Sequence, residues 1–253
     1  MTYCVAISLN AGLVFTSDSR TNAGVDNIST YSKMYKFGTD GERQFIILCS
    51  GNLATTQGVI SQIKRDIKQH KSVNLANVAH MSDAADYLGD INKVQQEKST
   101  GSGTNGGVNF EASFIIGGQI AGSKPSVYLV YPQGNHITTS KDTSYLQIGE
   151  SKYGKPILDR ILTPESSLET AALCALVSMD STMRSNLTVG PPIEVMVYHT
   201  DSFILDRHYR FDDDSDYLRQ LKRSWDSNLR EAFNNLPPIA WSSNWDKKSV
   251  QKV

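Results

Sequence analysis

Apolar positions in this chain recur with a period near two in some stretches and near three and a half in others, and the switches mark out its elements. TYCVAISL alternates loosely, Asn10-Ala11-Gly12 supplies a turn, and LVFTSDS returns, so residues 2–20 read as a β-hairpin. A further strand is expected near Tyr31–Phe37, followed by QFIILCS from Gln44, a run apolar enough for a strand buried on both faces. Two helices come next. Leu53, Val59, Ile60, Ile63 and Ile67 fall at helical spacing, as do Val78, Met81, Ala85, Leu88, Ile91 and Val94 within about Asn77–Lys98. A polar loop, STGSGTNGG, closes that block.

Strands resume with FEASFIIGGQI, SVYLVYP and SYLQIG. The helices KPILDRIL and SSLETAALCALVSMDSTM follow, then the strands IEVMVYHTD and SFILDRHYRF. A last amphipathic helix, YLRQLKRSWDSNLREAFNNL, is stopped by Pro237-Pro238 ahead of a polar, Trp-containing tail. No repeat or linker interrupts the order, which predicts a single α+β domain over residues 1–253. Helix pairs covering two apolar sheets give a four-layer αββα sandwich.

Composition narrows the function classes. The 253 residues carry a formal net charge of −1, without the basic excess of a nucleic-acid footprint. The longest dense apolar run, AALCALV, is far short of a membrane span, and the N-terminus lacks the basic and apolar regions of a secretory signal. Cys4, Cys49 and Cys174 form an odd, dispersed set, which fits buried reduced thiols in a cytoplasmic protein.

The opening hairpin carries the candidate chemistry. A turn near Ala11 brings Thr2 opposite residues 19–20, about 5–8 Å away between side-chain bases, and the two-residue period puts Asp18 and Arg20 on one face. If Met1 is removed, Thr2 gains a free α-amine with a reference pKa of about 7.7–8.0, basic enough to take the proton of its own hydroxyl. A nearby Lys lowers that value and Asp18 raises it.

Other motifs fail on context. GSGTNG at Gly101–Gly106 spells G-x-G-x-x-G but follows a helix, where the dinucleotide fingerprint needs a strand. GESKYGKP at Gly149–Pro156 imitates a phosphate loop, yet Pro156 stands where the Mg²⁺-binding hydroxyl belongs. Asp212, Asp214 and Asp216 start like a calcium loop, but Tyr217 replaces its glycine and Arg223 its bidentate Glu. The five histidines lack ligand spacing, and no G-x-S-x-G elbow occurs. No metal or organic cofactor is implied.

Thr2, the SDSR segment, the Lys of YSKMYKF and the strand-then-turn ILCSGNLATT resemble a proteasome β-type subunit. MTYC, SDSRTNAGVDNIST, SGNLATTQ and VGPPIEVMVY are similar to Anbu, the bacterial proteasome-related family, across nearly the whole chain. The resemblance implies the Ntn-hydrolase sandwich, with Thr2 as nucleophile, Asp18 and Lys33 tuning its amine and hydroxyl, and Arg20 ordering the Asp. The Gly51 N–H would be the oxyanion donor. It further implies peptide or protein substrates and a homo-oligomer, ring-like or open and helical, with an ATPase or other regulator as an unidentified partner. The last helix and tail, about residues 215–253, are the expected assembly element.

Three departures from the family pattern stand out. Asp18 to Lys33 is one residue shorter than the usual interval, which keeps Lys36 as the fallback lysine. The supporting loop reads GESKYG where the family has GSG, making Ser151 the counterpart. MDSTMRSNLTVGPP replaces Asp-x-x-Ser-Gly, with Asp180 and Ser181 or Thr182 as candidates. These departures keep two alternatives open: an Ntn amidohydrolase for a small amide or isopeptide, and a non-catalytic scaffold built on the same fold.

Overall fold

The computed structural model describes residues 1–22, 28–100 and 108–237. The Gly101–Gly106 motif and the tail beyond Pro237 lie outside them. The chain divides into two units, Met1–Ser215 and Asp216–Val253.

In the first unit, β1 (Tyr3–Leu9) and β2 (Gly12–Asp18) form the expected hairpin, with Cys4 opposite Ser17 and Leu9 opposite Gly12. They sit inside a five-stranded sheet of order β10-β1-β2-β11-β12, completed by β10 (Tyr145–Gly149), β11 (Ile193–His199) and β12 (Arg207–Phe211). A second five-stranded sheet has the order β5-β6-β7-β8-β9. It is built from β5 (Met34–Thr39), β6 (Arg43–Gly51), β7 (Ala112–Ile120), β8 (Ser126–Val130) and β9 (His136–Thr138). A two-stranded ribbon, β3 (Arg20–Asn22) with β4 (Ile28–Thr30), links them.

Alternation along the strands divides the core into layers. Ile46 and Leu48 of β6, with Ile115, Val127 and Leu129, face Cys4, Ala6, Leu13, Phe15, Ile148 and Met196 between the two sheets. The opposite parity of β6 (Phe45, Ile47 and Cys49) packs against α1 (Leu53–Lys68) and α2 (Met81–Thr100). On the outer face of the first sheet, α4 (Leu168–Ser185) lies on β1 and β2 and pairs with α3 (Lys155–Ile161). The α-β-β-α layering is therefore as expected. Each fully buried aliphatic or Phe side chain in these layers contributes about 1.5–3 kcal/mol relative to exposure, so the inter-sheet layer fixes the hairpin as a rigid platform.

Boundaries differ where polar side chains override the apolar period. The second helix begins at Met81 because Asn77 Oδ1 accepts from Asn74 N–H (2.8 Å), while Asn77 Nδ2 bonds the Lys71 carbonyl, tying the preceding residues into a turn. The final strand is confined to Arg207–Phe211. Asp201 and Phe203 take positive φ (61° and 50°), and Asp201 N–H is held by Gln119 Oε1, so Ser202–Asp206 cannot stay extended. The strand expected at Tyr31 starts at Met34. All three cysteines are buried and unpaired. Among the described residues no helix is long and apolar enough to cross a membrane.

The second unit contains α5 (Asp216–Asn234), close to the predicted bounds. None of its residues is buried, and Tyr217, Leu221, Trp225, Leu229 and Phe233 recur every four residues along it.

Candidate active site

The sheet order places the start of the chain at a protected point. β1 lies between β10 and β2, so Thr2, immediately before Tyr3, enters the sandwich at the end of a central strand. Beside it, Asp18 ends β2 and is fully buried. Its Oδ1 accepts from Tyr3 N–H (3.1 Å) and from Lys33 Nζ (2.7 Å), and its Oδ2 accepts from Gly190 N–H (3.2 Å). Lys33 Nζ also donates to the Arg20 carbonyl at 2.7 Å. Burial pushes the Asp18 carboxyl above its ordinary range, while the Lys33 charge and the three hydrogen bonds pull it back. The strand end is thus cross-linked through one buried ion pair.

Lys33 and Thr2 open onto a cleft of about 480 Å³ whose lining also includes Met1, Arg20, Tyr35 and Gly51, with Asp18 buried behind Lys33. The amine at the chain start loses basicity there, through burial first and the Lys33 charge second, with Asp18 and Glu150 acting in the opposite sense. Tyr35 and Cys49, also on the cleft wall, are both pushed up to about 12 by burial and stay neutral near pH 7. Lys33, Asp18 and Glu150 are consequently the charged groups that act at the chain start, with Arg20 on the same cleft lining.

The opposite wall is the turn from β6 into α1. Gly51 has φ 106°, and a Cβ there would come within 2.3 Å of the Glu111 carbonyl oxygen, so only glycine allows β6 and β7 to stay paired through this point. Asn52 then caps α1, accepting from Thr55 N–H. Gly51 and Leu53 of this turn both line the cleft.

The predicted residues separate into two groups. Thr2, Asp18, Lys33, Arg20 and Gly51 converge, with Lys33 rather than Lys36 paired to Asp18. Lys36 lines a different groove with Phe37, Lys64 and Leu205. The Arg20 guanidinium bonds the Leu187 carbonyl at 2.9 Å, and it is the Arg20 backbone that reaches Lys33. Ser151 folds back on β10, its N–H bonding the Gly149 carbonyl. Asp180, Ser181 and Thr182 occupy the last turns of α4, where the Thr182 hydroxyl bonds the Ser178 carbonyl one turn earlier.

The segment that does reach the site comes after that helix, and sequence reasoning missed it. Asn186 donates to the Glu150 carboxylate, Leu187 receives Arg20, and Gly190 bonds Asp18 and, through its carbonyl, the N–H groups of Ser19 and Arg20. A signal was available: Asn186-Leu187-Thr188-Val189-Gly190 keeps the Asp-x-x-Ser-Gly spacing with Asn and Val in the polar positions. Glu150, buried and adjacent to Thr2, carries no sequence signal of its own, since in the GESKYG loop it is Ser151 that matches the family's serine.

Among the described residues no group of three or more His, Cys, Asp or Glu is placed to hold a metal. What the arrangement offers chemically is a hydroxyl at a strand end, a buried carboxylate–ammonium pair beside it, and a facing backbone turn.

Residues 2–198 match the profile of the family described as proteasome subunit. Solved structures agree over more of the chain. An Anbu (ancestral β-subunit) from Yersinia bercovieri shares 45% identity and superposes with a TM-score of 0.88, covering 94% of this chain and 99% of its own. The Anbu complex from Pseudomonas aeruginosa, solved as a helical assembly, shares 46% identity with a TM-score of 0.90, covering 96% and 100%. Anbu from Hyphomicrobium sp. strain MC1 shares 42% with a TM-score of 0.85, covering 94% and 99%. Among curated proteins none matches.

Proposed function

This chain belongs to the proteasome-subunit family, and on that premise we propose that it is an N-terminal threonine hydrolase of peptide or related amide bonds, working in the cytoplasm as one subunit of a self-assembled complex. The observation that carries the reading is the cleft shared by Thr2 and Lys33, whose ammonium is paired to the buried Asp18 carboxylate.

Removal of Met1 exposes the α-amine of Thr2. As Thr2 Oγ attacks a substrate carbonyl, its proton passes to that amine and then to the leaving nitrogen, giving an acyl-enzyme and a free amine product. Water, deprotonated by the same amine, hydrolyses the ester and restores the hydroxyl. The ammonium of Lys33 lowers the proton affinity of both the hydroxyl and the amine, and Asp18 holds that ammonium in place. The N–H of Gly51 is the expected donor to the oxyanion, a contact typically worth about 10²–10³ in rate.

The P. aeruginosa relative assembles helically, which supports self-association here, and the apolar stripe of α5 is the surface we assign to it. Replacing Leu229 and Phe233 by Ser should reduce the assembly to smaller species in light scattering; an unchanged mass would reject that assignment.

The test of the hydrolase is intact mass before and after exposure to a peptide epoxyketone, which closes its adduct only on an adjacent hydroxyl and free amine. Loss of Met1 and one adduct, abolished by Thr2→Ala, is the expected result. Retention of Met1 with no adduct would instead favour the scaffold reading. Adduct formation with turnover of small amides but not peptides would favour the amidohydrolase.

A further inference from the structure

Within the reading above, the amine of Thr2 must be held in one place to serve as a base, and Asp18 is already committed to three donors. A second carboxylate is available. β10 pairs antiparallel with β1, Tyr3 opposite Gly149 and Cys4 opposite Ile148, and the next pair in that register sets Glu150 opposite Thr2. The Glu150 N–H donates to the Thr2 carbonyl at 2.7 Å. The approach is close because residue 149 is glycine, with φ 83° and a hypothetical Cβ only 1.9 Å from that same carbonyl oxygen.

The Glu150 carboxylate is nearly inaccessible, with its side chain 6% exposed, yet its compensation is thin. Its Oε2 accepts from the neutral amide of Asn186 at 3.2 Å, and Lys152 Nζ lies 3.7 Å from Oε1 on a side chain that is 76% exposed. Buried carboxylates are ordinarily paired with a charge at hydrogen-bond distance. Asn186 is itself fixed, since its Oδ1 accepts from the Thr188 N–H and hydroxyl. The result is a carboxylate aligned by one amide, next to the residue whose amine is freed when Met1 leaves.

We propose that Glu150 is a positioning residue that holds the α-amine of processed Thr2 by a charge-assisted hydrogen bond, with Asn186 aligning its carboxylate. Its effect falls at the proton-transfer step. When Thr2 Oγ forms its bond to the substrate carbonyl, the hydroxyl proton moves to the amine, and the ammonium so formed faces Glu150. When the scissile C–N bond breaks, that proton leaves with the nitrogen and the amine is neutral again. The charge of Glu150 favours the first transfer.

Several charged groups act on this amine. At the Met1 amine, one residue ahead, Lys33 from the segment before β5 disfavours the ammonium, while Asp18 at the end of β2 and Glu150 after β10 favour it, and the same groups surround the nitrogen of Thr2. Arg20 lines the same cleft. Lys152 faces Glu150 from the solvent side, and Glu194, bonded to Ser19 and His208, sits on β11 opposite Ser17, next to Asp18 in sequence.

The test is trace acetylation of the Thr2 amine with acetic anhydride between pH 5 and 10, read by mass spectrometry of the N-terminal peptide. The protein is produced with Thr2 exposed by cleavage of a leader. An opposite charge within reach shifts such a group by about one unit or more, so Glu150→Gln should move the labelling midpoint down by about one pH unit. Glu150→Asp, which keeps the charge, should restore part of the shift, and Asn186→Ala should give a smaller shift in the same direction as Glu150→Gln. Glu97→Gln, remote on α2, should leave the midpoint unchanged. An unmoved midpoint in Glu150→Gln, with thermal unfolding still cooperative, would overturn the proposal; so would equal shifts in Glu150→Gln and Glu97→Gln. Should Glu150→Gln fail to fold, Glu150→Asp and Asn186→Ala decide the matter, and unmoved midpoints in both reject it. Acetylation needs no turnover, so a shift without any epoxyketone adduct would reject the hydrolase and keep the Glu150–amine contact. An adduct without a shift would do the reverse.

Discussion

Lys33→Met tests the central pair directly. Lys33 and Asp18 meet at 2.7 Å with side chains only 8% and 0% exposed, so the variant leaves a buried carboxylate with no counter-charge. Removing one member of such a pair typically costs about 3–5 kcal/mol. For a folded unit of 150–250 residues each kcal/mol corresponds to about 2–4 °C in Tm, giving an expected loss of about 6–20 °C near pH 8. The deficit should depend on pH. Burial already raises the Asp18 carboxyl in the native protein and Lys33 partly offsets this, so losing Lys33 raises it further. A carboxyl raised on folding contributes stability below its unfolded pKa and loses it as pH climbs through the folded one; in the variant that loss continues to higher pH. The deficit should therefore shrink as pH falls and Asp18 takes up its proton, leaving mainly the lost bond to the Arg20 carbonyl, about 1 kcal/mol. Urea denaturation at pH 4.5, 6 and 8 measures it, with Asp18→Asn/Lys33→Met as the partner variant. The double variant should recover all but about 1–2 kcal/mol at pH 8. A deficit under about 1 kcal/mol at pH 8, a deficit flat with pH, or no recovery in the double variant would each show that the pair is not electrostatically closed as described.

Three further outcomes follow from individual residues. Thr16 is fully buried and its hydroxyl has no partner among the described residues, so Thr16→Val should stabilise by about 1 kcal/mol in denaturant titration; a loss of stability would mean the hydroxyl is satisfied. Tyr3 Oη sits 2.5 Å from Ser178 Oγ and accepts from Gln147 Nε2 at 2.7 Å, so Tyr3→Phe should cost about 1–3 kcal/mol by removing the partner of the buried Ser178 hydroxyl, whereas a neutral result would show that it re-pairs. Gly51→Ala must accommodate φ 106° and a carbonyl 2.3 Å from the new Cβ; it should lower Tm and abolish epoxyketone labelling, and normal labelling at native Tm would remove Gly51 from the site.

The elements were legible because burial of one face imposes a period, and a period survives in the sequence. The hairpin, the two sheets, both helix pairs and α5 all follow from it. Thr2, Asp18 and Arg20 came from the same source, because a tight hairpin converts sequence separation into distance through its register alone. Where the reading slipped, at the start of α2 and in Ser202–Asp206, side-chain bonds from Asn74, Asn77 and Gln119 decide the boundary, and such bonds have no period.

The support of the site shows the same division more sharply. Lys33 and Lys36 are equivalent as strand-region lysines in sequence, and only the path of the chain before β5 determines which one meets Asp18. Gly190 reaches Asp18 across 172 positions, Asn186 reaches Glu150 across 36, and the Thr182 hydroxyl in the last turns of α4 bonds its own helix instead. Sequence alone determined the fold class and the strand that presents Thr2 beside Asp18, since these depend on local geometry and on hydrophobic burial. Which donors close around the buried carboxylates was decided by the tertiary structure, because a desolvated charge must be satisfied by whatever polar groups packing brings within about 3 Å, and that neighbourhood exists only once the layers have closed.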